Sequence, residues 1–375
     1  MTGLAWALGG LCAVLLAVHL LSIGIALWRL RRRRSLPVPP SAPGVSIIRP
    51  VCGIEPYVAE TLASGFLLDW PEYELVFCVQ REDDPIVPVV QRLMAAHPSV
   101  SARLLVGDER VNANPKLNNC IKGWAAARHA WVVLADSNVL MPPDYIQHLM
   151  AAWRPNTGLV CSTPLGSRPE GFWGEVECAF LNTFQARWQY VGEAVGLGFA
   201  QGKSMLWRRD ILDARGGIAA LAAEIAEDAA ATKIVRAAGL HVHLVDSPFE
   251  QPIGPRRLKE VWGRQLRWAR LRRVTFPAFF APEVFSGAAV PLLAGCGAAA
   301  AAGTSVTGAA VAVLAVFYGA EALLARAKGW HMSWAWAAAL PVRDIIIPAM
   351  WVAAWTGAQV VWRGNRMNVE EKPAA

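Results

Sequence analysis

The sequence predicts an α/β domain with apolar helices at both ends of the chain. Between residue 45 and about residue 277, short apolar runs alternate with helical segments, which is the pattern of a parallel sheet with crossover helices. Long apolar stretches occupy both ends of the 375-residue chain. Hydrophobic residues make up 54% of all positions and the mean hydropathy is +0.31, so the composition indicates a membrane protein.

The first 30 residues are predicted to form a transmembrane helix. The run Leu4–Trp28 is apolar apart from small polar residues and His19, and a bilayer core needs about 20 such residues. Arginines follow the run at positions 29 and 31–34, which disfavours a cleaved signal peptide because its positive residues would come first. By the positive-inside rule, these arginines predict that the next domain is cytoplasmic. Residues 31–44, basic and then proline-rich, are expected to form an extended linker.

The central domain is predicted to span residues 45–280. Short apolar runs indicate its strands, and longer segments between them indicate its helices. Strands are assigned to Val45–Val51, Glu74–Gln80, Ala102–Val106 and Trp131–Ala135, and helices to Pro88–His97 and Lys116–His129.

The C-terminal region, residues 283–363, is predicted to return to the membrane before a short tail at 364–375. Phe285–Ala302 and Thr307–Leu324 are candidate spans, and they are rich in small residues that let helices pack closely. A third apolar run, Ile345–Trp362, follows a charged pair at positions 343 and 344. It is either another span or a helix in the membrane interface, with the tryptophans at 351, 355 and 362 as anchors.

The net charge of +7 is concentrated in two clusters. One is the arginine group after the N-terminal helix, and the other lies between residues 256 and 273. The second cluster can meet a phosphate group or an anionic membrane surface. Nucleic-acid binding is a weaker interpretation, because no nucleic-acid motif accompanies the charge. The seven cysteines, an odd number without CxxC spacing, indicate free thiols in a reducing compartment.

Acidic residues follow two of the predicted strands. Asp83 and Asp84 come after the second strand, and Asp136 follows the fourth directly. The carboxyl ends of parallel strands meet at one edge of the sheet, where ligands bind. An aspartate in such a position often only caps the next helix. For Asp136 a functional role is favoured, since Ser137 and Asn138 add further oxygen groups beside it.

Such an edge can support glycosyl transfer from a nucleotide-sugar donor. The diphosphate leaving group needs positive charge, and Mg²⁺ or Mn²⁺ would take Asp136 as a first ligand. The acceptor hydroxyl needs a general base, for which Asp228 in an Ala-rich helical segment is the candidate; the alternative is an exposed helix face. Lys116 is assigned to donor binding, because it opens a helix whose N-terminus favours an anion.

A basic and aromatic segment further along the chain is the candidate for binding the leaving group. The guanidinium groups of Arg264 and Arg267 can form bidentate hydrogen bonds with phosphate oxygens, and Trp268 adjoins them. The alternative role is contact of a basic amphipathic helix with the membrane surface. The approach from Arg256 to Pro277 is expected to lie at the membrane surface, so that a lipid acceptor can enter from the bilayer. That alternative competes most strongly for the last three arginines of the segment, Arg270, Arg272 and Arg273.

Five stretches, in this order, resemble the ceramide glucosyltransferases, which are membrane-bound inverting glycosyltransferases with a GT-A-type domain. They are Cys78-Val79-Gln80 followed by Glu82-Asp83-Asp84-Pro85, then Asn114-Pro115-Lys116-Leu117-Asn118-Asn119, Ala135-Asp136-Ser137, Ala226-Glu227-Asp228 and Arg264-x-x-Arg267-Trp268. The resemblance spans roughly residues 45 to 268, and the terminal apolar segments agree with it. It implies an α/β GT-A domain anchored in a membrane, here expected to be a bacterial inner membrane crossed several times.

The resemblance also implies roles for individual residues. Asp84, with Asp83, would contact the uridine of the donor, and Asp136 would hold the metal and the diphosphate. Asp228 would be the catalytic base. The arginine and tryptophan motif would bind the diphosphate and border the acceptor entrance. The implied reaction moves glucose from UDP-glucose to the primary hydroxyl of ceramide, with inversion at the anomeric carbon.

Two departures from the family pattern bear on substrate and metal. Gln185 stands where the animal members of the family carry a histidine, so it is a candidate acceptor-site residue. Because the residue differs, the donor and acceptor preference of those members is a weaker guide to the substrates of this chain. The second acidic signature has Asn138 at its third position, which leaves Asp136 as its single carboxylate.

Other functions stay open. The same machinery fits hopanoid N-acetylglucosaminyl transfer and diacylglycerol glycosylation. A processive polysaccharide synthase is disfavoured, since few spans are visible for a polymer channel. A non-catalytic membrane adaptor with a degenerate transferase domain is the alternative of another class. The presence of Asp84, Asp136, Asp228 and Arg267 together argues against it. A transporter is weaker still, because the spans hold almost no paired charge.

Overall fold

The computed structural model describes residues 3–362 and 365–370. Residues 1, 2, 363, 364 and 371–375, which include part of the predicted tail, lie outside the described residues. The chain packs into two compact units. One unit, called the helical unit below, contains the N-terminal residues up to Arg31 together with Arg168–Val191 and Pro255–Glu370. The other, called the sheet unit, contains Arg32–Ser167 and Gly192–Gly254.

The sheet unit is built on a seven-stranded sheet with the order β3-β2-β1-β4-β7-β5-β8. The first four strands in that order are parallel, and β7 runs antiparallel to both of its neighbours. In the described residues, β6 pairs with β9 in a second small sheet, and β10 pairs antiparallel with β11 in the helical unit. The bounds are β1 Val45–Pro50, β2 Tyr73–Val79, β3 Ser101–Val106, β4 Trp131–Ala135, β5 Thr157–Ser162, β6 Pro164–Glu170, β7 Ser204–Arg208, β8 His241–Leu244, β9 Phe249–Pro255, β10 Gln359–Trp362 and β11 Asn365–Asn368.

Helices flank the sheet and form most of the other unit. A π-helix, Phe180–Ala186, joins α6 to α7, and 3-10 turns occupy Gly65–Leu67, Gly217–Ala223 and Ala281–Phe285. The α-helices are α1 Gly3–Arg29, α2 Val58–Ser64, α3 Val87–Ala96, α4 Pro115–Ala126, α5 Tyr145–Ala151, α6 Phe172–Ala179, α7 Arg187–Ala194, α8 Arg209–Asp213, α9 Glu227–Ala237, α10 Leu258–Thr275, α11 Pro277–Phe280, α12 Ala289–Ala301, α13 Val306–Lys328 and α14 Trp334–Trp355.

The core of the sheet unit explains why its strands form. All six residues of β1 are buried, and apolar side chains of β1, β2 and β4 such as Ile47, Phe77 and Val133 share one cluster. Parallel strands covered on both faces give this kind of nearly continuous apolar run. The predicted α/β class, with a parallel-dominant sheet and apolar helices at both ends, is confirmed. The four strands predicted from the sequence match β1 to β4 within a residue or two at each end.

Three helices in the described part of the chain, α1, α13 and α14, are long and apolar enough to cross a membrane. A fourth candidate is a pair bent by 44°, made of Pro277–Phe285 and α12. The ends of α1 and α13 lie together, because the Lys328 ammonium donates to the carbonyls of Leu27 and Leu30 at 2.8 and 2.6 Å. The basic residues that end these two helices are therefore adjacent.

The prediction for the last apolar segment was wrong in its position. The helix is α14, which begins at Trp334 and ends at Trp355 instead of covering Ile345–Trp362, and Trp362 ends strand β10. The charged residues Arg343 and Asp344, expected to precede the helix, lie in its interior and are buried. The position was misjudged because charged residues ordinarily mark the end of a span, whereas these two have buried partners.

Candidate functional site

The strand-end acid Asp136 lies in a cluster of charged side chains in the sheet unit. Its Oδ1 is 2.7 Å from the Lys116 ammonium, and its Oδ2 is 2.9 Å from that of Lys203. Lys203 also donates to Asn138 Oδ1 at 3.2 Å. The two lysines come from different elements, since one is in the first turn of α4 and the other directly precedes β7. The carboxylate predicted to meet a diphosphate is thus neutralised by two ammonium groups.

The start of α4 fixes the position of Lys116. Asn114 caps this helix, since its Oδ1 accepts the backbone N–H groups of Lys116 and Leu117 at 2.9 and 3.2 Å. Pro115 at the first helical position has no N–H to satisfy. The Asn114 amide also donates to Glu227 Oε2 at 2.7 Å, and Glu227 Oε1 is 2.6 Å from the Lys116 ammonium. The sequence Asn-Pro-Lys therefore ties α4 to the start of α9.

The candidate base Asp228 adjoins this cluster through Gly202. The Gly202 N–H donates to Asp228 Oδ2 at 3.2 Å, and the Ala229 N–H donates to Oδ1 at 2.9 Å. The Gly202 carbonyl accepts from the Lys116 ammonium. A Cβ at position 202 would lie 2.7 Å from Glu227 Oε1 and 2.9 Å from Lys116 Nζ, so a larger residue would displace the ion pair. Glycine at this position therefore allows one residue to bind Asp228 through its N–H group and Lys116 through its carbonyl group.

Opposing effects set the pKa values in this cluster. Burial alone would raise the pKa of the Asp136 carboxyl, but the ammonium groups of Lys116 and Lys203 outweigh it and hold that pKa below its usual range. Burial would lower the pKa of Lys116, but Asp136 and Glu227 outweigh it and raise that pKa. Asp228 behaves in the opposite way to Asp136. Burial and then the Glu227 carboxylate raise the pKa of Asp228 to about 6, against the pull of Lys116 and of two backbone N–H groups.

The first acidic signature lies in the loop that follows β2. Asp84 Oδ1 accepts the N–H of Gly53, which follows β1, at 2.8 Å and the N–H of Ile86 at 2.9 Å. Asp83 is exposed and forms an ion pair with Arg81. Asp84 and Asp136 are therefore both attached to the end of β1, because Arg49 in β1 donates to the Asp136 carbonyl at 3.1 Å. Their roles as donor-binding residues stay predictions.

The residues predicted to meet the acceptor and the diphosphate lie in the helical unit, where a chain of polar contacts links two of them. Gln185 in the π-helix donates to Gln265 Oε1 at 2.7 Å, and Arg264 is 3.2 Å from the buried Glu177 carboxylate. Gln265 in turn lies 3.5 Å from the same carboxylate oxygen. π-Helices are rare and often mark functional sites. Arg267 and Trp268 are half-buried on the same helix, α10.

The arginines considered for contact with the membrane surface have partners within their own unit. Arg272 forms a bidentate pair with Glu283 at 2.6 and 2.8 Å. Arg273 is 2.6 Å from Glu370, and Arg270 donates to the Ala353 carbonyl at 3.3 Å. These contacts fasten α10 to neighbouring segments, a role that the sequence did not indicate.

Comparison with known proteins identifies the family. The family model described as "Glycosyl transferase family 21" matches residues 14–375. The chain belongs to this family.

Two relatives and one solved structure illustrate the similarity of this family 21 chain to known proteins. Ceramide glucosyltransferase 1 of Caenorhabditis elegans is 29% identical over 273 residues, which are 72% of this chain and 58% of that protein. The ceramide glucosyltransferase of Komagataella phaffii is 41% identical over 112 residues, 29% of this chain and 22% of that protein. A mannosyltransferase from Pyrobaculum calidifontis, in complex with GDP-Man and Mn²⁺, has a TM-score of 0.48 and 19% identity, covering 90% of this chain and 99% of that chain. The chain thus spans little more than half the length of the first relative.

The donor set of the family 21 chain can be tested for a divalent cation. No group of three or more His, Cys, Asp or Glu side chains in the described residues could hold a metal ion. Asp136 offers one carboxylate and Asn138 one amide oxygen, and Mg²⁺ commonly binds through one or two carboxylates together with substrate phosphates and water. The residues therefore fit a cation that arrives with a diphosphate. Such a cation would also have to share the Asp136 carboxylate with the ammonium groups of Lys116 and Lys203.

Sequence reasoning missed two residues of this site. Lys203 reaches Asp136 because β7 pairs antiparallel with β4, which sets Ser204 opposite Ala135. Arg49 is fully buried, and besides Asp136 it donates to the carbonyls of Ser137 and Val139, at 3.2 and 3.1 Å. Arg49 could have been found from the sequence, because it is the one charged residue in the strand Val45–Pro50. The residues around Lys203 in the sequence carry no such signal.

We expect Arg49→Met to destabilise the protein by about 3 kcal/mol, because the carbonyl groups of four residues, Thr61, Asp136, Ser137 and Val139, each lose a donor. The affinity for UDP should fall as well, since the loop that carries Asp136 loses its anchor. The measurements are the free energy of unfolding and calorimetric UDP binding of the purified protein. Arg92→Met changes an exposed arginine on α3 and should leave both unchanged. An Arg49→Met protein of unaltered stability would contradict the anchoring role.

Proposed function

We propose that this chain transfers glucose from UDP-glucose to the primary hydroxyl of a ceramide-like lipid, with inversion, at the cytoplasmic face of a membrane. One observation carries the proposal. A carboxylate of raised pKa, Asp228, adjoins a cluster in which Lys116 and Lys203 present positive charge around Asp136. A basic carboxylate beside a phosphate-binding group of charges is what transfer from a nucleotide sugar needs.

The donor diphosphate is expected to meet the two ammonium groups. Lys116 and Lys203 are each within 3 Å of the Asp136 carboxylate, which keeps both oriented toward the end of β4. Asp84 in the neighbouring loop would receive the uridine. A divalent cation held by Asp136, with Asn138 beside it, would neutralise part of the charge that develops on the diphosphate.

Transfer with inversion is a single displacement. Asp228 accepts the proton of the acceptor hydroxyl, the hydroxyl oxygen forms a bond to the anomeric carbon, and the bond from that carbon to the diphosphate oxygen breaks. UDP leaves with the electron pair of that bond. Arg264, Arg267 and Trp268 are proposed to bind the leaving diphosphate, because arginine donors act on the charge that appears there.

The acceptor is proposed to be a lipid. Three helices among the described residues are suited to crossing a membrane, which supports membrane association. The two relatives described above carry the name ceramide glucosyltransferase. Gln185 is the proposed acceptor-side residue, and its contact with Gln265 links the π-helix to the helix that carries Arg264. A different lipid or sugar on the same machinery is the main alternative.

The test is a transfer assay on the purified protein in lipid, with ceramide or diacylglycerol against UDP-glucose, UDP-galactose and UDP-N-acetylglucosamine. Glucosylated ceramide is the expected product. A product from another pair would keep the mechanism and correct the substrate. If no pairing released UDP, with or without Mg²⁺ or Mn²⁺, the catalytic proposal would fail and the adaptor interpretation would gain support.

A further inference from the structure

The segment between α7 and β7, residues 197–203, forms neither helix nor strand and ends at the candidate site. Its last two residues are Gly202, whose N–H binds the Asp228 carboxylate, and Lys203, whose ammonium is paired with Asp136. Most of the segment is buried or half-buried, so its backbone N–H and carbonyl groups need partners. Helix α9, in the same sheet unit, supplies several of these partners.

Three side chains on one face of α9 bind the backbone of this segment. They are those of Asp228, Thr232 and Arg236, which are spaced by four residues and therefore lie above one another on the helix. The Gly202 N–H donates to Asp228 Oδ2 at 3.2 Å, and the Ala200 N–H donates to the Thr232 hydroxyl at 2.9 Å. The Arg236 guanidinium donates to the carbonyls of residues 197 and 198, both at 3.1 Å.

The spacing of these contacts matches an extended chain that runs antiparallel to the helix. Four residues of α-helix rise by about 6 Å, and two residues of extended chain rise by about 6.6 Å. As the contacts advance by four residues along α9, they go back by two along the segment, from position 202 to 200 and then to 198. One register of the segment on the helix therefore satisfies all three side chains at once.

Small residues allow this close approach. The three positions of the segment that alternate along α9 are Gly198, Ala200 and Gly202. A Cβ at Gly198 would lie 2.3 Å from the carbonyl oxygen of Val242 in β8, and a Cβ at Gly202 would meet the pair of Glu227 and Lys116. The segment is therefore confined where it contacts α9, and a shift of its register would bring its backbone into neighbouring groups.

Thr232 is the central contact of the three. It is fully buried, and its hydroxyl accepts the Ala200 N–H and donates to the Asp228 carbonyl at 2.8 Å. A threonine hydroxyl in a helix often bonds to the carbonyl four residues earlier, which needs no outside partner. The bond from Ala200 is an addition to that local arrangement. It ties the turn of α9 that begins with Asp228 to the segment, two residues before Gly202.

We propose that Thr232 and Arg236 are positioning residues for the transfer reaction. They set the register of residues 197–203 on α9, and this register holds Gly202 against Asp228 and Lys203 against Asp136. The inference rests on the proposed function, because it takes Asp228 as the base and Lys203 as a contact of the diphosphate. It adds that the two are kept in place by side chains one and two turns further along α9.

The test is Thr232→Val, which keeps the shape of the side chain and removes the hydroxyl. The Ala200 N–H loses its acceptor, so the Gly202 N–H should bind Asp228 less well. Because that N–H lowers the pKa of Asp228, its loss should raise the pKa and move the acid side of the pH–rate profile to higher pH. The rate above that pH should fall by about tenfold to a hundredfold, since small displacements of catalytic groups have effects of this size. Thr232→Ser, which keeps the hydroxyl, should restore both.

The shift of the pH–rate profile separates positioning from a general loss of stability. The charged and titratable groups that act on Asp228 are Glu227 on the same helix, Lys116 on α4 and the Cys161 thiol on β5. Thr232→Val leaves all three in place, so a shift reports the bond from Gly202. A variant that merely folded less well would contain less active protein, which would lower the rate at every pH without moving the profile.

Arg236→Met provides a second variant on the surface of α9, in case Thr232→Val does not fold. It removes the donor to two carbonyls of the segment, and the profile should move in the same direction by a smaller amount. Lys233→Met is the charge-matched control, because it removes one positive charge from an exposed position of the same helix. Lys233 is paired with Glu224, and its loss should leave the profile in place.

Hydrogen exchange of the Gly202 amide and calorimetric UDP binding are readouts that do not need transfer. In Thr232→Val the amide should exchange faster and UDP should bind more weakly, and both should recover in Thr232→Ser. A profile that stays in place in Thr232→Val, or one that moves equally in Thr232→Ser or Lys233→Met, would overturn the proposal. Failure of the proposed function would look different, because the unaltered protein would then transfer no sugar while the Gly202 amide still exchanged faster in Thr232→Val.

Discussion

Asp228→Asn is expected to bind UDP-glucose and to lose transfer by about two to four orders of magnitude, which is the usual contribution of a general base. The substitution keeps the size of the side chain and one oxygen to accept from Gly202 or Ala229. It removes the proton acceptor and gives up one of these two accepted hydrogen bonds, so the protein should fold with a modest loss of stability and should still bind UDP. The measurements are the transfer rate and the dissociation constant of UDP. Full activity in Asp228→Asn would mean that another group is the base.

The pH dependence of the reaction provides a second check on the same residue. Because burial and Glu227 raise the pKa of Asp228 to about 6, the carboxyl is protonated and inactive as a base below that pH. The transfer rate should therefore fall as the pH drops through about 6 and level off above it.

Glu227→Gln is the matched control for this dependence. It removes the carboxylate charge that raises the pKa of Asp228 and releases Lys116 from an ion pair at 2.6 Å, and both changes favour the Asp228 carboxylate. The acid limb of the rate profile should move to lower pH in this variant. An acid limb that stays in place would indicate that a different group titrates.

The elements of the fold that the sequence predicted well are those with a local pattern. Strands β1 to β4 are runs of buried apolar residues, and Asp136 follows its strand directly, so both could be predicted without knowledge of distant contacts. The capped start of α4 is equally local, because Asn114 and Pro115 each act within one turn. The convergence of Asp136 with Lys116 follows from the common edge of parallel strands.

The features that escaped prediction depend on partners far away in the sequence. Lys203 lies 67 positions after Asp136 and reaches it only through an antiparallel pairing in an otherwise parallel region. Likewise, Arg343 and Asp344 resemble the boundary of a membrane span in the sequence. Only the structure shows that an acid on α13, Glu321, pairs with Arg343. Local hydropathy records the charge of a residue but not its neutralising partner.

Among the substitutions considered, loss of the Glu321 carboxylate is expected to lower the free energy of unfolding most. Its carboxylate accepts two hydrogen bonds from the Arg343 guanidinium, at 2.8 and 3.0 Å, and one from the Thr183 hydroxyl at 2.7 Å. It also lies 3.7 Å from the Arg187 guanidinium. The side chains of Glu321 and of both arginines are fully buried. Removing one partner of a buried pair leaves an uncompensated charge, which typically costs about 3–5 kcal/mol. Glu321→Ala should therefore unfold at a much lower denaturant concentration than the unaltered protein.

A double substitution separates the role of the charges from the role of the packing. Glu321→Leu with Arg343→Met removes both charges of the bidentate pair and replaces them with apolar groups of similar size, which is often nearly neutral in a buried site. The double variant should therefore be more stable than Glu321→Ala, even though it removes more native contacts. As an exposed reference, Arg208→Ala breaks the pair with Asp210 and should cost less than about 1 kcal/mol. Because Arg187 and Asp344 keep their positions beside the altered pair, any remaining loss of stability in the double variant measures how far they depend on Glu321 and Arg343 for neutralisation. A double variant less stable than Glu321→Ala would contradict this and would mean that Arg187 and Asp344 depend on the pair for neutralisation more strongly than Arg343 depends on Glu321.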